Sequence, residues 1–165
     1  MRSSILMAIA AGAFATAALA QPPSPPARGA VLDAAAAQAI ILGCVRHAEA
    51  KRQSHAIVVV DMGGGEIAAL RMDGNGRGIM DFARAKAEAV AAWGFSTSTM
   101  AASARETAGF AQAPHVVTVP GGVPIFSADG RTLLGAAGAS GEAPADDEAC
   151  VIAGVQGAGF KATHG

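Results

Sequence analysis

Chemistry in this chain rests on few side chains: four histidines (His47, His55, His115, His164), two cysteines (Cys44, Cys150), Lys86, Ser140 and scattered aspartates. The histidines and cysteines are too far apart for a local H-x-x-x-H or C-x-x-C pair, so no transition-metal cage is read. Ser140 stands among glycines, yet Gly138-Ala139-Ser140-Gly141 is not a G-x-S-x-G elbow and has no evident histidine partner. Asp61, Asp73 and Asp129 occupy Asp-Gly or Asp-x-Gly turns, where carboxylates bond to their own backbone. Lys86 interrupts an apolar helix face and is expected to form an ion pair with Glu88 or Asp61 that fixes that helix. What remains is backbone. The N–H groups of Gly121 and Gly122 in Pro120-Gly121-Gly122-Val123-Pro124, and of Gly138 and Gly141 around Ser140, could cradle a carboxylate without steric cover.

Those turns need strands and helices to hold them. Asp33 is a good N-cap for a helix running to Arg52, with Ala37, Ile41, Cys44, Val45 and Ala48 on one face and His47 on its flank. Ala56–Asp61 and Glu66–Met72 read as an antiparallel hairpin about Met62-Gly63-Gly64-Gly65. The first of these strands is almost wholly apolar and should lie centrally, covered on both faces. A helix is expected from Ile79 to Trp93, stopped by Gly94, and another from Ser98 or Thr99 to Phe110. Three short strands follow, Val116–Val119, Val123–Phe126 and Leu133–Ala139, and a last helix starts after Pro144 with Asp146, Asp147 and Glu148 at its positive end. This order lacks βαβ alternation, and Gly63-Gly64-Gly65 sits in a hairpin instead of between strand and helix. A dinucleotide fold is excluded on both counts.

At 165 residues with 15% charged side chains, the chain has one domain's length and ample apolar surface. Arg2 precedes an apolar run, Ile5 to Ala18, that closes on Ala18-Leu19-Ala20, the pattern of a secretory signal over residues 1–20. The run is short for a bilayer span of about 20 residues. Cleavage after Ala20 would place the product in the periplasm or outside the cell, with no membrane segment left. A proline-rich linker, residues 21–30, leads into the domain at 31–165. The net charge of −1, the scattered basic residues and the absence of Tyr leave no nucleic-acid footprint. Cys44 and Cys150 are an even pair in an oxidising compartment; they are either a disulfide tying the first helix to the last or two buried thiols.

The ordered set V-V-D-x-G-G (Val59–Gly64), R-M-D-G (Arg71–Gly74), A-R-A-K-A (Ala83–Ala87), P-G-G-V-P-I (Pro120–Ile125), G-A-A-G-A-S-G (Gly135–Gly141) and D-D-E (Asp146–Glu148) resembles the GlcG/HbpS family of haem-binding and related proteins. The resemblance spans about Val31 to Gly159 and departs from the usual pattern at Glu88 and Ala139. It implies an α+β, profilin-like fold with a five-stranded antiparallel sheet in a three-layer α/β/α arrangement, assembled as a homo-oligomer. The family includes an extracellular haem binder that works with a sensor kinase and the C-terminal domain of PduO-type corrinoid adenosyltransferases. The implied function is an exported haem or tetrapyrrole binder that stores, scavenges or senses its ligand, with a sensor protein as a further partner. A haem site needs an iron ligand inside an apolar pocket. His47 and His115 are the candidates, with Gly121, Gly122, Ser140 and Gly141 as the surroundings of a propionate. His55, at the start of a strand, and His164, in the tail, are read as solvated, and Met62 and Met72 as turn-packing residues. Two other readings stay open. One is a small-molecule enzyme or accessory subunit of organic-acid metabolism, which needs an acidic pocket and a perturbed lysine. The other is a structural oligomer or sensor partner without ligand.

Overall fold

The computed structural model describes residues 31–165; the expected signal segment and proline-rich linker lie outside the described residues. Helix α1 (Ala34–Lys51) begins where Asp33 Oδ1 accepts the Ala36 N–H at 2.8 Å, and it ends on Arg52 in the left-handed region. Strands β1 (Ala56–Asp61) and β2 (Glu66–Arg71) form the expected hairpin. Its turn is tied by Asp61 Oδ1, which accepts the Gly63 and Gly65 N–H groups at 2.8 and 2.9 Å. Helix α2 (Arg77–Trp93) stops at Gly94, φ 79°. Helix α3 (Thr97–Glu106) is capped by Ser96, whose Oγ accepts the Thr99 N–H, and a 3-10 turn covers Phe110–Gln112. Strands β3 (Gly122–Phe126) and β4 (Leu133–Ser140) precede helix α4 (Pro144–Gly157).

Among the described residues the strands form one antiparallel sheet of four, ordered β2-β1-β4-β3. Alternate side chains of β1 enter opposite cores, as the two-residue period of a strand requires. Ile57 and Val59 pack with Val123, Ile125, Ala137 and Ala139 against α1 and α4. Ala56, Val58 and Val60 pack with Ala136 against α2 and Met100. The all-apolar strand is thus covered on both faces and lies inside the sheet, as its composition required.

Among the described residues the expected fifth strand is not formed. Val116–Val119, expected to be a strand, has no ladder partner because Pro114 and Pro120 bracket it and Val116 and Val117 turn into the α2-side core instead. The segment is anchored by the Trp93 indole, whose Nε1 donates to Pro114 O at 3.0 Å.

Close approach, set by glycines, fixes the helices. Gly138 lies where α2 crosses β4, and a Cβ there would overlap Ala83 O. Gly43 and Gly154 let α1 and α4 touch: a Cβ on Gly43 would lie 2.8 Å from Gly154 Cα. Beside that crossing Cys44 and Cys150 are joined in a disulfide, with Cα atoms 4.6 Å apart across 106 residues of chain.

Candidate functional site

The conspicuous glycine turn covers a buried charge cluster. Lys86, from α2, is fully buried; its Nζ donates to Asp147 Oδ2 and to Ala139 O, each at 2.9 Å. Asp147, from the first turn of α4, is 2% exposed and spends its other oxygen on His55 Nδ1, at 3.0 Å, and on the Glu142 N–H, at 3.1 Å. An ionised carboxylate only accepts, so His55 Nδ1–H is the donor to Asp147. Burial pulls the Lys86 ammonium below the usual lysine range, and its hydrogen bond to Asp147 opposes that pull.

Gly121 explains the motif. At φ 127° it passes over the ion pair so closely that a Cβ would meet Lys86 Nζ and Ala139 O at 2.7 Å and Asp147 Cβ at 2.9 Å. Gly122 N donates to Thr97 Oγ1 at 2.9 Å, and Gly138 lies within the β4 ladder. Ser140 is the buried last residue of β4, opposite Ala56, and Gly141 packs on Ser54 and His55. Two of the four N–H groups of the expected cradle thus belong to the fold, that of Gly122 on Thr97 and that of Gly138 in the ladder, while Gly121 makes room for the ion pair.

Two sequence readings are corrected here. Lys86 pairs with Asp147, not with Glu88 or Asp61, because α4 folds back over the sheet and brings its first turn to the end of β4. His55 is not solvated; strand alternation sends it to the α1–α4 side, where it is wholly buried against Asp147. The aspartates do not gather: Asp61 and Asp129 serve their own turns, the latter accepting from Ser127 Oγ and the Arg131 N–H.

A groove of about 330 Å³ opens at the other end of β1, between the hairpin turn and α2, lined by Met62, Gly63, Gly64, Glu88, Ala91, Ala92 and His115. That volume is at the lower end for small-molecule sites. His115 is exposed and held at φ 60°, the left-handed region that non-glycine residues rarely occupy. Met62, read from sequence as turn packing, is 46% exposed beside the groove. His47 has a different setting. It is half-buried on α1, its Nε2 is sealed from solvent, and burial, followed by the charges of Lys51 and His55, holds its imidazole below the ordinary range. His47 does not line the groove that holds His115, so the two candidate histidines belong to separate places.

The groove offers two side chains of haem-ligand type, the imidazole of His115 and the thioether of Met62. Imidazole and thioether are both haem-iron ligands. Gly63 and Gly64 leave backbone bare at the rim, and Ala91 and Ala92 present small apolar side chains. The combination expected of an organic-acid enzyme is split instead: the acid, Glu88, lines the groove, whereas the perturbed lysine lies under Gly121.

A family model described as "Haem degrading protein HbpS-like" matches residues 32–156. The chain belongs to the HbpS-like family. HbpS of Streptomyces reticuli, solved as a double mutant, is 25% identical with a TM-score of 0.70, covering 86% of this chain and 97% of that one. A PduOC complex with haem gives 20% identity and a TM-score of 0.72 over 81% and 99% of the two chains. Klebsiella pneumoniae protein ORFY gives 20% and 0.71 over 84% and 96%. The latter two likenesses speak to the HbpS-like fold alone. No curated protein sequence matches the chain.

Proposed function

We propose that this protein is an exported haem- or tetrapyrrole-binding member of its family, holding its ligand in the groove beside His115. One observation carries the reading: a histidine and a methionine line one open groove together with glycines, alanines and Glu88. His115 would ligate the iron, Met62 would supply a second soft contact, and Ala91 and Ala92 would receive the face of the macrocycle. Bound haem would supply redox and oxygen chemistry; the chain's own part is to bind, to orient and to keep Glu88 near the ligand's edge. The description of the matching family model, "Haem degrading protein HbpS-like", supports the ligand class. Export is supported by the sequence of residues 1–20 and by the disulfide, a bond that persists in oxidising compartments.

Haem titration into the purified protein tests the reading. A saturable Soret shift at one haem per chain is expected, weakened ten-fold or more in His115→Ala and unchanged in His47→Ala. Absence of any shift sinks the function, and an unaltered titration in His115→Ala sinks the groove.

A further inference from the structure

Three buried polar atoms lack a hydrogen-bond partner among the described residues: His47 Nε2, Gln53 Oε1 and His55 Nε2. None belongs to the groove. In sequence His47 and His55 are not at a metal-ligand spacing, but the fold brings their elements to one corner. After Lys51 the chain reverses through left-handed Arg52, and Gln53 N donates to Ala48 O at 2.9 Å, laying Gln53 along the last turn of α1. The first turn of α4 closes the same corner: Lys51 Nζ lies 3.8 Å from Asp146 Oδ1, and the neighbouring Asp147 holds His55.

The state of His55 is the informative part. Its Nδ1–H is given to a carboxylate that is itself fixed by Lys86 and the Glu142 N–H, which leaves Nε2 buried, oriented and without a partner among the described residues. Proteins orient metal-binding histidines with such a carboxylate, which also raises the basicity of the ligating nitrogen. An orphaned buried acceptor is costly unless something occupies it. Imidazole nitrogens and an amide oxygen together suit zinc, copper or nickel better than calcium or magnesium.

We propose that this corner binds one divalent transition-metal ion through His47 Nε2 and His55 Nε2, with Gln53 Oε1 as a further ligand. No three His, Cys, Asp or Glu side chains converge among the described residues, so the site is a two-imidazole one and not a closed cage. It is independent of the haem reading.

The test is calorimetric titration of the chelator-treated protein with Zn²⁺ and Cu²⁺. One saturable site is expected, at least ten-fold weaker in His47→Ala and in His55→Gln, and 10- to 100-fold weaker in Asp147→Asn, which loses the orienting carboxylate. His115→Ala and His164→Ala should bind as the parent does. If the variants at the buried positions fail to fold, His47→Ala and the number of imidazole nitrogens seen by Cu²⁺ electron paramagnetic resonance decide; two nitrogens support the site. No saturable binding, or undiminished binding by His47→Ala, overturns it and leaves water as the occupant.

Discussion

Lys86 and Asp147 illustrate how a buried pair should be tested. Removing one partner strands the other in a dry interior, so Lys86→Met is expected to lose about 3 kcal/mol of stability in urea denaturation. Replacing both, as in Lys86→Met with Asp147→Asn, should cost less than that single change, since the neutral amide leaves no buried charge and keeps an acceptor for His55 Nδ1 and the Glu142 N–H. If the double variant is the weaker, the cluster contributes net stability. Gly121→Ala is expected to cost about 3 kcal/mol by the same assay, because the methyl would meet the ammonium and the backbone is strained for any Cβ. His47 adds a pH term. Its folded pKa lies below the unfolded value near 6.5, so its contribution is present above that pH and is lost as pH falls toward the folded value. His47→Gln should flatten the acid limb of the stability profile below about pH 6.5, measured in metal-free buffer.

Elements were legible where caps and periods are strong. Asp33, Gly94 and Pro144 place helix ends within a residue or two of those observed, and the β1–β2 hairpin follows from its glycine turn. Val116–Val119 was misread because β-branched residues signal extended chain, and extension alone does not make a ladder. The destination of α4 was likewise hidden. Nothing local in Asp146-Asp147-Glu148 tells which acid faces solvent and which meets Lys86; that depends on the α1–α4 crossing at Gly43 and Gly154. The disulfide pins this crossing. Cys44→Ala with Cys150→Ala is expected to lower stability by about 4 kcal/mol, given the long loop it closes, read as a drop in melting temperature.

At the scale of the whole molecule the family and the layer arrangement could be read from ordered turn motifs, whereas the groove could not. Its walls come from the hairpin turn, α2 and the segment before β3, which are far apart in the chain. Sequence offered His115 as one of two equal candidates; only the fold separates an imidazole on an open surface from one closed into a helix corner. The export reading belongs here too. Mass spectrometry of the protein recovered from its native compartment should find a chain beginning at Gln21, and a chain retaining Met1 would refute it.

His115 sits in a backbone conformation that suits glycine better than any imidazole. Being exposed, its side chain has little packing to lose. His115→Gly should therefore raise stability, by up to about 1 kcal/mol, while weakening haem capture as much as His115→Ala does. A variant that is sturdier and a weaker haem binder would show that folding and ligand hold are in opposition at a single residue, and that the imidazole is kept there at the fold's expense.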